Sequence, residues 1–252
     1  MVKNMDAIGA YFENLKNIIT AVETGEKDAL YSGACLMRDA VLSGHNIFAF
    51  GCSHAGLLAL EMYYRTGGMA VINPVRAPGL NLDIDPATMT SQLERLDEYG
   101  KIIVDNQPLG EGDVIIIHSV SGRNTVTVDV AMRAREKGAK VIALTNMDYS
   151  KSVTSRHPSG KRLFEVADVI LDNHGCIGDG AIEVPGLAEK VGPTSTAVGA
   201  AMLNAMMTQA VALIAETGAT VPVFMSANVD GGDAHNKEML AKYKEHIFYM
   251  GH

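Results

Sequence analysis

The chain runs to 252 residues, 47% of them hydrophobic and 20% charged, with 29 acidic against 21 basic side chains and a net charge of −8. This is the usage of a globular protein long enough to bury a full core, and it excludes disorder, collagen and coiled coil as overall classes. The acidic balance speaks against general nucleic-acid binding, and an anionic small molecule would need a local device to be held against that field.

Residues 6–22 set Tyr11, Leu15, Ile18 and Val22 on one helical face. A second helix is predicted through Leu30, Ala34, Met37 and Val41, stopping at Gly44. Five short apolar runs follow, Ile47–Phe50, Ala70–Ile72, Val114–Ile117, Val141–Leu144 and Val169–Leu171. Each is rich in β-branched residues and apolar on both faces, as parallel strands covered on both sides are. The segments between them, Thr125–Lys137 above all, read as helices, and the alternation implies βαβ crossovers. In the polar span Asn73–Gln107, Asp85-Pro86 reads as a helix start with proline at the first helical position. Leu93, Leu96 and Ile103 continue a helical face. Residues 146–164 form a polar insertion without a strong period, and residues 173–195 a glycine-rich stretch. A long helix over Thr196–Thr217 and a last one over 235–248 are predicted. With no repeat, low-complexity tract or linker, residues 1–252 read as one domain. The expected architecture is a three-layer α/β sandwich around a five-stranded parallel sheet of flavodoxin-like order 2-1-3-4-5. The N-terminal helices have apolar faces that suit a second subunit.

Cys35, Cys52 and Cys176 form no CxxC pair and no zinc spacing, which suits a reducing cytosol. The opening residues lack the apolar stretch of a signal peptide, and no run approaches the ~18 apolar residues of a membrane span. A cytoplasmic protein that engages no membrane is expected.

In an open parallel sheet, ligands bind beyond the carboxyl ends of the strands where strand order reverses, here between the first and third strands. Two loops meet there. One is Gly51-Cys52-Ser53-His54-Ala55-Gly56, and the other runs from His118 and Ser119 through Ser121, Gly122, Arg123, Asn124 and Thr125. Each opens into a helix, whose free N–H groups and dipole favour a phosphate. A third helix start, Gly192-Pro193-Thr194-Ser195-Thr196, is equally rich in hydroxyls. Any one such loop reads simply as an N-cap. Three together favour an anion site. Neither GxxxxGK[ST] nor GxGxxG is present, so no nucleotide cofactor is expected.

The segments GCSHAG, HSVSGRNTVTVDVAMRAREKGAKVIALTN and VGPTSTAVGAAMLNAMMTQAV resemble the SIS (sugar isomerase) domain family over about residues 30–215. The resemblance implies a phosphorylated sugar bound by Ser119, Ser121, Asn124 and Thr125, with Asn124 standing where the family usually has Thr. It also implies a homodimer or homotetramer. Two branches are similar. N-acetylmuramic acid 6-phosphate etherases share the Ser-Gly-Arg turn and a tail like NVDGGDAHNKEML. Phosphoheptose isomerases carry a Glu on the helix after the first turn, where Glu61 stands here.

Moving a proton between adjacent carbons, or eliminating an ether, needs a base at carbon and an acid or base at oxygen. Glu61 lies in the otherwise apolar run LLALEMYY, with Arg65 as an ordinary i,i+4 partner. Glu94 and Glu98 share one face of a polar helix and read as solvated groups, kept in play by the etherase resemblance. His54 could touch a sugar or cap its turn, and His118 reads as a satisfied core histidine. His235 is the preferred histidine, because in several SIS isomerases a C-terminal histidine completes a neighbouring subunit's site. Lys151, Arg156, His157, Lys161 and Arg162 could gather an anionic substrate or form a solvated loop. Asp172, His174, Asp179 and Glu183 match no metal spacing, and no metal is expected. Cys52 reads as a small filler rather than a sensitive thiol. The expected function is an aldose–ketose sugar-phosphate isomerase. Its alternatives are an amino-sugar-phosphate etherase or lyase, and a sugar-phosphate sensor without catalysis.

Overall fold

A computed structural model describes residues 5–250; the first four residues, part of the stretch read for a signal peptide, and the last two lie outside it. The elements are α1 (Ala7–Gly25), α2 (Lys27–Leu42), β1 (Ile47–Gly51), α3 (Gly56–Met62), β2 (Ile72–Pro74), α4 (Thr90–Leu93), α5 (Tyr99–Asp105), β3 (Val114–His118), α6 (Thr125–Glu136), β4 (Lys140–Thr145), α7 (Met147–Ser152), β5 (Val169–Asp172), β6 (Gly180–Ile182), β7 (Val191–Pro193), α8 (Ser195–Glu216) and α9 (Gly232–Lys242). The five-stranded sheet is parallel, in the order β2-β1-β3-β4-β5, as its sequence pattern predicts.

Strand side chains alternate between two cores, which is why the strand runs are apolar throughout. Ile47, Ala49, Val114, Ile116, Ile142 and Leu144 join one core with α1, α2, α3 and α8. Phe48, Phe50, Ile115, Ile117, Val141 and Ala143 join the other with α5 and α6. The helix after β1 therefore covers one face and the helix after β3 the opposite one. The crevice between their starts is the switch point of the sheet.

The most apolar 18 residues of α8 have a mean hydropathy of 1.6, and by length and composition the helix could cross a membrane. Its Val198, Met202, Leu203 and Met206 are instead buried in the first core.

Several local expectations are corrected. Pro86 is extended and precedes a 3-10 turn (Ala87–Met89), so it is not the first helical residue. The face through Leu93, Leu96 and Ile103 is broken into α4 and α5 at Glu98, whose φ is +65°. The polar insertion contains α7, capped where Asn146 Oδ1 accepts from the Tyr149 N–H at 2.7 Å. The glycine-rich stretch holds the antiparallel pair β6–β7. The last helix ends at Lys242 and is followed by a 3-10 turn, Lys244–His246.

The C-terminal segment seals the edge strand through Asn73. Its Nδ2 donates to the carbonyls of Ile47, Val71 and His246 at 3.3, 3.1 and 3.0 Å, and its Oδ1 accepts from the Phe248 N–H at 2.8 Å. Asn73 is 3% exposed, so alanine there strands several buried groups. Asn73→Ala is expected to destabilise the fold by about 2–4 kcal/mol, read as a lowered midpoint in urea. An unchanged midpoint would show that the tail does not contribute to the cooperative unit.

Candidate functional site

β1 ends at Gly51, and the chain turns at Ser53, whose φ is +55° and whose N–H donates to the Leu80 carbonyl at 2.7 Å. His54 is exposed in that turn. Across the crevice, the strand-three turn is gripped from beneath. Ser119 N–H donates to Leu144, Ser150 Oγ donates to the Ser121 carbonyl at 2.8 Å, and Leu163 N–H donates to the Gly122 carbonyl at 2.8 Å. Gly122 has φ +59°, where a Cβ would sit 3.0 Å from Ser150 Oγ and 3.2 Å from Leu163 Cβ. Glycine is required on both counts. Among the described residues, the backbone N–H groups of Ser121, Gly122, Arg123, Asn124 and Thr125 meet no protein acceptor. A run of free N–H groups around a left-handed residue at a helix start is an anion cradle.

The insertion walls this turn. Arg156 N–H donates to the Arg123 carbonyl, its Nη1 to Asn124 Oδ1 at 2.6 Å, and Thr125 Oγ1 donates to the Arg156 carbonyl. Of the basic residues in the insertion, Arg156 alone is brought to the turn by these bonds. Arg162 pairs with Glu165 and ties down carbonyls of the loop, His157 bonds buried Asp129 at 3.0 Å, and Lys151 and Lys161 are exposed. Arg156 is held below the usual guanidinium range by burial and by the like charges of Arg123 and Arg95. Three arginines thus gather at the turn, and none forms a direct ion pair among the described residues. Arg123 Nε is buried without a partner.

Glu94 stands in the same cluster. Its carbonyl accepts from the Val126 N–H at 3.2 Å, and its carboxylate meets the Asn124 side chain and faces Arg95 and Arg156. Burial pushes this carboxyl above its ordinary value, although the Asn124 hydrogen bond and the two arginines oppose the shift. The solvated reading of Glu94 is therefore corrected. Cys52, buried beside it, has its thiol pushed up to about 12, by burial first and then by the Glu94 charge. Such a thiol is protonated filler.

Other candidates lie apart. Glu61 pairs with Arg65 and accepts from Asn204 Nδ2 on α8, at the far end of α3 from the turn. Glu98 is exposed and bonded to Lys101 at 2.7 Å. His235 Nε2 bonds the Val223 carbonyl at 3.0 Å, and residues 222–224 pair with residues 67–70 before β2. Within its own chain His235 is thus at the amino end of the sheet, opposite the crevice. The third helix start is self-capped. Asp179 accepts from the N–H groups of Thr194 and Ser195 at 3.1 and 2.9 Å and from Ser195 Oγ at 2.7 Å. Those backbone donors and the Ser195 hydroxyl are already taken by a carboxylate, so it is not the open anion site that its sequence suggests, although the Thr194 hydroxyl is left without a partner. Thr196 is half-buried in the first turn of α8.

The acidic residues weighed as metal ligands are occupied separately. Asp172 accepts from the Met147 and His174 N–H groups, His174 bonds Glu26, and Glu183 pairs with Lys190. No group of three metal-binding side chains occurs among the described residues. Two features escaped the sequence reading. Arg95 adjoins Glu94, and its partners at the turn are distant in sequence. His118, expected to be satisfied, leaves Nε2 without a partner.

The sequence model of the SIS domain matches residues 10–146, more than half of the chain. A UPF0309 protein of Shouchella clausii is 46% identical over 246 residues, covering 98% of this chain and all of that one. A UPF0309 protein of Oceanobacillus iheyensis is 44% identical, covering 95% and 98%. The chain is an SIS-domain protein and belongs to the UPF0309 family. Its fold is shared with a phosphoheptose isomerase of Francisella tularensis, with a TM-score of 0.54 and 17% identity over 83% of this chain and 98% of that one. A phosphoheptose isomerase of Neisseria gonorrhoeae gives 0.52 and 18%, over 83% and 97%.

Proposed function

We propose that the crevice between the strand-one and strand-three turns binds a phosphorylated sugar and that the protein is an aldose–ketose sugar-phosphate isomerase. The observation that carries this reading is the juxtaposition of the free N–H groups at Ser121–Thr125 with Glu94 and three arginines. The phosphate sits in the cradle, with Ser53, Ser119 and Ser121 as further hydroxyl donors, while the Thr125 hydroxyl holds the Arg156 carbonyl. Glu94 takes the proton from the carbon beside the carbonyl and returns it to the neighbouring carbon. A carboxyl held above its ordinary value by burial is suited to both transfers. His54, exposed in the strand-one turn, is the histidine assigned here to the oxygen end. His235 enters only if a second subunit brings it. An etherase would use the same carboxylate, whereas a sensor would need only the cradle. The fold shared with phosphoheptose isomerases fits the reading.

A homo-oligomer belongs to the same proposal. Ile8, Phe12, Tyr31, Leu57 and Leu60 are exposed on the helices of one layer. An apolar groove of about 710 Å³ lies between α1, α2 and α8.

Ser121→Ala tests the phosphate assignment. Loss of a hydrogen bond to a charged group is expected to weaken binding of a sugar monophosphate by about ten- to a hundredfold, read by titration calorimetry with inorganic phosphate as control. Binding undiminished by the substitution would move the phosphate away from this turn.

A further inference from the structure

His118 closes β3 at the floor of the crevice. Its register partner is Gly51, and the next residue begins the strand-three turn. The side chain is buried, at 2% exposure. Nδ1 lies 3.2 Å from the Ala55 carbonyl in the strand-one turn. A carbonyl oxygen only accepts, so Nδ1 carries the ring proton, and Nε2 of the neutral ring is a lone-pair acceptor. That Nε2 is buried and has no partner. Two other unpartnered polar atoms lie at the carboxyl end of the sheet, Asn173 Nδ2 just beyond β5 and Thr194 Oγ1 at the start of α8. Thr194 Oγ1 would be 3.6 Å, and Asn173 Oδ1 3.1 Å, from a Cβ built on Gly175, so both residues border Gly175. Asp179 links this group to His118, binding the Thr194 and Ser195 N–H groups while its charge acts on the imidazole. Burial pulls His118 down to about 4, against the Ala55 carbonyl and the Asp179 charge. At neutral pH the ring is uncharged and its acceptor is available.

Buried polar groups are nearly always matched, so an acceptor, a donor and a hydroxyl left open beside a crevice point to a matching ligand. We infer that His118 is a substrate-binding residue, its Nε2 accepting a hydrogen bond from a hydroxyl of the sugar whose phosphate lies in the Ser121–Thr125 cradle. The inference rests on the phosphosugar reading and deepens it. The ligand is polyhydroxylated, and its hydroxyl chain reaches inward toward Asn173 and Thr194. His118 here orients a hydroxyl and transfers no proton.

The test compares aldose and ketose monophosphates of five to seven carbons with inorganic phosphate. In His118→Asn the amide replaces Nδ1 and keeps a donor for Ala55, but nothing stands at Nε2. In His118→Gln a polar atom can return to the Nε2 position. Asn is expected to lose about tenfold in sugar-phosphate affinity with inorganic phosphate unchanged, and Gln to recover part of the loss. A structural role would weaken both ligands together, and that result overturns the inference, as does wild-type affinity in the Asn variant. Should the variants fail to fold, ¹⁵N NMR of the wild-type protein gives the answer. The pyridine-type Nε2 signal of His118 should move upfield with a sugar phosphate and stay in place with inorganic phosphate, and a signal unmoved by a bound sugar phosphate refutes the role. If the wild-type protein binds inorganic phosphate or nothing, the phosphosugar reading falls and this inference falls with it. If it binds sugar phosphates indifferently to His118, this inference alone fails.

Discussion

Glu94→Gln is expected to lower turnover by about a hundred- to ten-thousandfold while leaving sugar-phosphate affinity within a few-fold of wild type. Glutamine keeps the shape and can still meet Asn124, but it cannot take a proton from carbon. The pH dependence follows from the direction of the shift. Burial raises the Glu94 carboxyl, so the basic form accumulates at a higher pH than for an ordinary carboxylate, and the acid limb of kcat/KM, which reports the free protein, is displaced upward. The same shift fixes the sign for stability. A carboxyl raised in the folded state contributes stability that is fully present below its unfolded pKa and is lost as pH rises through the folded pKa. Glu94→Gln should therefore melt at or above the wild-type temperature at neutral pH, with any gap closing in acid. An inactive variant that is no less stable marks a functional carboxylate. A variant that keeps its turnover would transfer the role to another group, with Glu61→Gln the next to measure.

Gly51→Ala is expected to cost about 2–3 kcal/mol, or a fall of about 5–10 °C in melting temperature, and to weaken sugar-phosphate binding as well. A Cβ at this position would lie 2.5 Å from both the carbon and the oxygen of the Ala55 carbonyl and 2.8 Å from the Gly56 nitrogen. Those are backbone atoms, so no rotamer relieves the clash. The strand-one turn must shift, carrying Ser53 and the Ala55 carbonyl away from His118. Gly44 supplies the comparison. Its φ is +73°, but a Cβ there meets nothing within 4 Å. Gly44→Ala pays only for the left-handed backbone, about 1 kcal/mol. Thermal melts of the two variants separate close approach from conformational strain, and equal losses would contradict the tight packing of the strand-one turn.

The sheet was legible because each strand carries apolar side chains toward two different cores, and the switch point followed from strand order. The strand-three turn was legible for a similar reason. Gly122 and its neighbours are consecutive, so their chemistry is visible in one stretch of sequence. What escaped depends on contacts between distant residues. Glu94 resembles Glu98 in sequence, yet the chain breaks at Glu98 and only Glu94 is folded against the start of α6. The Thr194–Thr196 helix start looked as open as the strand-three turn until Asp179, fifteen or more residues upstream, was seen bound to it. Likewise the basic insertion held one residue for the site, because His157 and Arg162 are committed to Asp129 and Glu165.

Deuterium exchange tests the central claim most directly. The wild-type protein is incubated in D₂O with each of a set of aldose and ketose monophosphates, and the carbon-bound protons are followed by NMR. Proton transfer by Glu94 predicts that at least one sugar phosphate interconverts between aldose and ketose, with deuterium entering at carbon to the extent that the carboxyl exchanges its proton before returning it, and neither change with Glu94→Gln. Sugar phosphates that bind the protein and neither interconvert nor take up deuterium would contradict it, leaving the crevice as a binding site without chemistry.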